Sequence, residues 1–241
     1  MKTHDFLLEL GTEELPPKLL VKLSSSLKDN IISELKQLNI STSNVIAYAT
    51  PRRLAITITE LQSKQQDQII EKKGPSVESS DKAIEGFAKS CGVDISELEK
   101  RSLGNKEYYF YKAQETGKSI QSLLPRVIES SINNIPITRA MKWGNLDYSF
   151  VRPVHWLVMM LDNKVVPAHI MGLESGNTTK GLRSNKDLLL EIFHANDYHS
   201  IMLNKAKIEV DFNKRKEIIR QQVLTVAKTK NAEVVIDESL L

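Results

Sequence analysis

Phe6-Leu7-Leu8-Glu9-Leu10-Gly11-Thr12-Glu13-Glu14-Leu15-Pro16-Pro17-Lys18 decides how this chain is read. Phe6, Leu8 and Leu10 alternate with Leu7 and Glu9, the period of a half-buried β-strand, and Gly11 to Glu14 supplies the turn that closes it. Pro16 and Pro17 suit the first turn of a helix, where a missing N–H costs nothing. Leu19, Leu23, Leu27, Ile31, Leu35 and Leu38 then recur every three or four residues, so a long amphipathic helix follows. Val45 to Ala49 and Leu54 to Leu61 read as strands. Between them Thr50-Pro51-Arg52-Arg53 interrupts the ladder at a proline and presents two arginines at the break. The opening unit is β-α-β-β.

Further along, Lys73-Gly74-Pro75-Ser76 is a cluster of structure breakers, and Ser79-Ser80-Asp81 caps a short helix that buries Ile84, Phe87 and Ala88 and ends at Gly92. Asp94 with Glu97 forms a capping-box pattern, so a second short helix is expected from Ile95 to about Arg101, completing an inserted helical hairpin. A second β-α-β-β series comprises a strand from Glu107 to Ala113, a helix from Ile120 to Asn133, and strands at His155 to Leu161 and Val165 to Met171 around an Asp162-Asn163 turn. It shares with the first only an arginine and a proline before a strand, Arg52 in one and Arg152 in the other. The remainder reads as a strand at Leu188 to Phe193, a helix near Tyr198 to Leu203, a strand at Ile208 to Val210 and a helix from about Lys214 to Lys228. Asp237 to Leu241 resembles a capped helix start, which suggests a chain that stops inside a domain.

The fold class that results is α+β, with mixed sheets in β-α-β-β units and inserted short helices. The corresponding division is 1–72, the hairpin 73–106, the second unit 107–185 and a truncated α/β continuation 186–241; a coarser division joins 1–185 into one domain. A length of 241 residues accommodates one or two cores, and two are favoured. With 41% hydrophobic and 26% charged residues the usage is ordinary, and no apolar run is long enough to span a bilayer. The start of the chain carries no signal segment and Cys91 is the only cysteine, so a reducing cytoplasm is expected and a disulfide framework is excluded. A formal charge of +3, from 33 basic and 30 acidic residues, permits an anionic partner without requiring one.

Thr116-Gly117-Lys118-Ser119, between a strand and a helix, sits where a phosphate-binding loop would, and a stand-alone nucleotide-binding protein is the alternative it raises. The loop needs a glycine where Lys112 stands, and Glu115 puts a negative charge inside it, so the ordinary reading as a connection wins. The histidines 4, 155, 169, 194 and 199 form no close ligand pairs, so no metal site is expected; no Gly-x-Ser-x-Gly occurs, so no nucleophile is expected either. Glu9, Glu13 and Glu14 crowd one end of the first strand, where carboxylates can act as a paired acid and base, but solvated turn carboxylates beside a helix N-terminus are the favoured reading. The basic residues are more suggestive. Arg52, Arg53, Arg139, Lys142, Arg152, Lys180 and Arg183 fall in loops or at strand starts, where guanidinium and ammonium groups pair with phosphates, and an exposed Trp143 would stack on an unpaired base. The bland alternative is that the arginines are structural ion-pair partners and Trp143 is core.

Phe6 to Lys18 and Thr50-Pro51-Arg52-Arg53-Leu54-Ala55 closely resemble two signatures of the bacterial glycyl-tRNA synthetase beta-subunit family. Matching stretches follow in order: Gly74-Pro75, Gly86-Phe87-Ala88, Met141-Lys142-Trp143-Gly144, Phe150-Val151-Arg152-Pro153-Val154-His155-Trp156 and Gly176-Asn177-Thr178-Thr179-Lys180-Gly181. The resemblance covers nearly the whole chain and implies the N-terminal module of a subunit that continues into a helical phosphohydrolase-like domain and an anticodon-binding domain. A similar module occurs in the beta chain of the phenylalanyl enzyme.

What the resemblance implies for function is support of tRNA binding and subunit assembly, in a tetramer of two alpha and two beta chains, for ATP-dependent attachment of glycine to tRNA(Gly). The alpha chains would hold the aminoacylation centre, and ATP with magnesium would serve the holoenzyme. This chain would bind no cofactor and contribute no catalytic residue, and would have no dealings with DNA or a membrane. A pure assembly scaffold is the remaining alternative. After Gly181 the family has histidine, arginine and phenylalanine; here Leu182, Arg183 and Ser184 stand in their place, which removes any role of that histidine.

Overall fold

The computed structural model describes residues 2–104, 106–145, 147–184 and 188–238. The chain forms two compact units, Met1–Ser63 with Ser119–Leu241, and Lys64–Lys118.

The larger unit is built on strand β1 (Thr3–Thr12), which leads through a 3-10 turn at Pro17–Leu19 into helix α1 (Leu20–Gln37). Strands β2 (Asn44–Thr50) and β3 (Arg53–Gln62) follow as an antiparallel pair. In the smaller unit lie β4 (Gln68–Ser76), α2 (Asp81–Cys91), β5 (Glu99–Leu103) and β6 (Lys106–Glu115). The chain then returns with α3 (Ile120–Asn133), β7 (Met141–Lys142), β8 (Ser149–Phe150), β9 (Val154–Leu161), β10 (Lys164–Val165), β11 (His169–Ile170), β12 (Leu173–Gly176), β13 (Thr178–Lys180) and β14 (Leu189–Glu191). It closes with α4 (Tyr198–Asn204) and α5 (Phe212–Thr229). The class is α+β, with antiparallel and parallel pairings in one sheet.

That sheet has seven strands in the order β11-β12-β9-β1-β3-β2, with β10 on β9, so β1 is central. β1 pairs antiparallel with β3 and with β9, whereas β12 runs parallel to β9. The alternation along β1 is real, but the expected half-buried strand is covered on both faces. Phe6, Leu8 and Leu10 pack under α1 and α3 with Leu23, Leu27, Ile31, Leu124 and Ile128. Leu7 faces the other way, with Ala55, Trp156, Val158 and Met160, onto a layer formed by Ile192, Ala195, Tyr198, Met202 and Val210. Each such aliphatic side chain withdrawn from water contributes about 1.5–3 kcal/mol. The second layer begins at Ile192, 180 residues beyond the end of β1 at Thr12, and no pattern local to β1 announces it.

The smaller unit is a three-stranded antiparallel sheet, β4-β6-β5, with α2 packed on one face through Ile84, Ala88, Leu98 and Tyr109. α2 ends at Gly92 in the left-handed region (φ 73°), as expected of a glycine C-cap. The second helix of the expected hairpin is absent. The Asp94/Glu97 capping box is formed, but it caps a single 3-10 turn at Ile95–Glu97, after which the chain enters β5 and pairs with β6. β4 was not legible either, because Gly74 and Pro75 interrupt its ladder between Lys73 and Ser76. A β-carbon at Gly74 would lie 2.4 Å from the Phe87 ring, so the Gly74-Pro75 and Gly86-Phe87-Ala88 stretches are two sides of one contact.

The strands of the second β-α-β-β series are dealt to different sheets, β6 to the small one and β9 to the large one. Val165 to Met171 is interrupted, giving β10 and β11 instead of one strand. Ile208 to Val210 forms no strand; its residues pack beneath the sheet, and Val210 O accepts from Ala49 N–H at 3.2 Å. α5 begins at Phe212, two residues before the expected start, capped by the Asp211 carboxylate at the Asn213 and Lys214 N–H groups. The helix start read at Asp237 to Leu241 extends into residues 239–241, outside those described.

Candidate functional site

Four of the separated sequence stretches meet at one end of the large sheet. Gly11 lies opposite Arg53 in β3 and opposite Trp156 in β9. Beyond Gly11 the turn is clamped by main-chain bonds: Thr12 N–H to Arg52 O (2.8 Å), Glu13 N–H to Pro153 O (2.9 Å) and Leu15 N–H to Pro51 O (2.6 Å). Both proline breaks therefore serve as acceptors for the β1 turn, and Arg52 and Arg152 emerge beside it. β13 approaches through Asn177, whose amide donates to Glu191 Oε1 and to Ile192 O, which fixes Thr179 and Lys180.

Below the surface these segments enclose a charged network. Glu9 is fully buried and accepts hydrogen bonds from Trp156 Nε1 and from Thr179 Oγ1, the latter at 2.5 Å. Arg53, 3% exposed, lies with its Nε 3.8 Å from Glu9 Oε2 and donates from its terminal nitrogen to Lys180 O at 2.7 Å. The Tyr198 hydroxyl belongs to the same layer; burial pushes its pKa well up, and the Glu9 charge adds to this while Arg53 opposes it. Glu9 is thus not the solvated turn carboxylate expected, because the layer from 192 to 210 removes that face of β1 from water. Arg53 is likewise turned inward, so the break presents Arg52 alone.

At the surface, His155 Nε2 contacts Glu13 Oε1 at 3.0 Å and Arg183 donates to Glu14 Oε1 at 2.9 Å. The Lys180 ammonium stands 5.3 Å from the centre of the Trp156 ring, within cation–π range. Arg52 and Arg152 are half-exposed, and Arg152 donates to Val151 O at 3.0 Å. Lys142 is exposed on β7, whose partner β8 ends two residues before Arg152, and has Asp147 at 3.5 Å. Arg139 is exposed in the connection ahead of β7. Trp143 is half-buried and packs against the main core, so its ring is anchored and not a free stacking platform. The sequence reading placed Glu9 in solvent and gave Thr179, Trp156 and His155 no site role, since the contacts that define them cross 142 to 170 residues.

The phosphate-loop stretch is arranged differently from a phosphate cradle. Gly117 N–H donates to the Asp67 carboxylate at 3.0 Å, and a β-carbon on Gly117 would meet the Gln65 carbonyl at 2.0 Å. The Gly117 bond, then Lys64, hold the Asp67 carboxyl below its usual range. An anion at these amides would have to displace a carboxylate. The structure also gathers Asp5, Asp162 and His194 within ligand distance of one another, at the opposite end of β1 from the turn.

Residues 6–241 match the family described as Glycyl-tRNA synthetase beta subunit. Among curated proteins the chain is 40% identical over 247 residues to the glycine–tRNA ligase beta subunit of Chromohalobacter salexigens, 39% over 248 residues to that of Hahella chejuensis, and 36% over 248 residues to that of Klebsiella pneumoniae. Each comparison covers 100% of this chain and 36% of the relative, so the chain spans about a third of the length of these proteins. A match that takes in the Gly11 turn, both proline breaks and the Thr179 strand takes in every segment of the assembled end of the sheet, and the chain belongs to the glycyl-tRNA synthetase beta-subunit family.

Proposed function

We propose that this chain is the N-terminal part of a glycine–tRNA ligase beta subunit and that it holds tRNA and a partner chain in place, while bond-making chemistry is carried out by an alpha subunit. The observation that carries the reading is the end of the large sheet. There Arg52, Arg152, Lys180 and Arg183 stand on strands and turns locked by main-chain hydrogen bonds, a fixed cationic edge suited to a phosphate backbone. Lys142 and Arg139 extend that edge along the chain. Arg53 serves it from beneath, by holding Lys180 O.

In this reading glycine, ATP and magnesium belong to the holoenzyme of two alpha and two beta chains, which works in the cytoplasm on tRNA(Gly). This chain contributes position and affinity without a catalytic cofactor of its own. No helix among the described residues is long and apolar enough to cross a membrane. The carboxylate on Gly117 N–H speaks against the nucleotide-binding alternative.

The test is a tRNA(Gly) titration of the chain at several salt concentrations, alone and with the alpha chain, comparing wild type with Arg52→Ala/Arg152→Ala/Lys142→Ala. Weaker binding in the variant, with alpha-chain association retained, supports the tRNA role. Unchanged tRNA binding with lost association assigns the edge to the scaffold role, and no effect on either rejects the edge.

A further inference from the structure

We propose that Asp5, Asp162 and His194 form a binding site for one divalent transition-metal ion, which clips three separate segments of the larger unit together. Each of these half-buried residues offers one ligand atom, and the three atoms lie within 4.8 Å of one another. Zinc bonds to carboxylate oxygen and imidazole nitrogen are roughly 2.0–2.2 Å long, so ligands on opposite sides of one ion stand up to about 4.4 Å apart. Small side-chain rotations therefore close the observed set onto a single ion.

The ligands are placed by the backbone and not by chance contact of mobile side chains. Asp5 sits at the register shift between His4 and Phe6, where the β1/β3 ladder is irregular and a side chain is re-aimed. Asp162 follows β9 with a φ of 50°, a left-handed conformation seldom taken by residues other than glycine, asparagine and aspartate. The three segments are tied by main-chain bonds, Asp162 N–H to Asp5 O at 2.7 Å and Ala195 N–H to Asp162 O at 2.8 Å. The arrangement is fixed before any ion arrives, so little ordering remains to oppose binding.

Groups around the ligands orient them. Asp162 accepts at Oδ1 from Asp5 N–H (2.8 Å) and has His4 Nδ1 at 2.6 Å from Oδ2, while the Asn196 side-chain amide donates to Asp5 Oδ2. Such outer contacts are the usual support of metal-binding carboxylates and leave lone pairs on both. Two oxygens and one nitrogen suit Zn²⁺, Mn²⁺, Co²⁺ or Ni²⁺ better than Mg²⁺ or Ca²⁺, which favour oxygen alone. The consequence is mechanical. His194 opens the layer containing Ala195, Tyr198 and Met202 that covers the Glu9 face of β1, and an ion shared with Asp5 and Asp162 would pin that layer to the sheet.

The experiment is calorimetric titration of the 241-residue chain with Zn²⁺ near neutral pH, with Mg²⁺ in parallel and thermal unfolding as the second readout. The expected result is one Zn²⁺ per chain, a raised Tm, and no response to Mg²⁺ at the same concentration. His194→Ala and Asp5→Asn, each checked for folding by circular dichroism, should weaken binding by about tenfold or more. His155→Ala and His199→Ala should leave it unchanged. No Zn²⁺ binding by the wild-type chain, equal binding by His194→Ala and Asp5→Asn, or loss in the His155 or His199 variant would overturn the proposal. In those cases the cluster is a hydrogen-bonded latch only.

Discussion

The Trp156 ring lies where a side chain on Gly11 would be: a β-carbon at Gly11 would sit 1.8 Å from Trp156 Cε2. The two residues face each other across the β1/β9 ladder, and the missing side chain lets the indole cross β1 and donate to Glu9. Gly11→Ala should therefore expel the indole and break that bond. A loss of about 3 kcal/mol or more in urea unfolding, with a red-shifted Trp emission, is expected. Normal stability in this variant would contradict the described ring placement.

Gly86 provides the contrast, since it lies in α2 with nothing within 4 Å of an added β-carbon. Gly86→Ala removes backbone freedom from the unfolded chain and should stabilise the smaller unit by about 0.5–1 kcal/mol. Slower hydrogen exchange of α2 amides would report it.

Breaking the buried network from either side should be costly and strongly coupled. Arg53→Met leaves Glu9 charged in a place without water, and Glu9→Gln does the reverse; each is expected to lose about 3–5 kcal/mol. The double variant should lose clearly less than the sum, because it removes both charges together. Additive losses would mean that the 3.8 Å pair contributes nothing as a pair.

Acid should weaken the larger unit through Asp162. Burial alone pushes this carboxyl up, but the His4 hydrogen bond, the Asp5 N–H and the charges of His4 and His194 outweigh it, and the pKa lies below the usual value. A carboxyl lowered on folding adds stability above its unfolded pKa of about 3.9, and that stability is lost as pH falls through the lower folded value. Asp162→Asn should flatten the stability profile below about pH 4. An unchanged acid limb would assign acid sensitivity to other carboxylates.

Salt dependence reads the cationic edge directly. If Arg52, Arg152 and Lys142 meet phosphates, each alanine substitution should reduce the slope of log affinity against log salt by about 1 or slightly less. A loss of affinity with an unchanged slope would point to an indirect effect on folding.

Periodicity and caps are local, and local readings were legible. The Phe6, Leu8 and Leu10 alternation, the leucine spacing of α1, the Gly92 stop and the Asp162-Asn163 turn each depend on residues a few positions apart, and the structure has each of them. The capping box at Asp94 marked where a helical turn starts, but pairing of Glu99 to Leu103 with β6 decided where it ends. Glu9 looked like a carboxylate on the wet side of a strand, and nothing near it says otherwise. Only folding brings Trp156 and Thr179, 147 and 170 residues away, to its oxygen, and only the distant layer at 192–210 takes its face out of water. The same reason separates Arg52 from Arg53: adjacent in sequence and alike in charge, they part because Arg52 lies in the turn between β2 and β3 while Arg53 opens β3 on a face that tertiary packing buries.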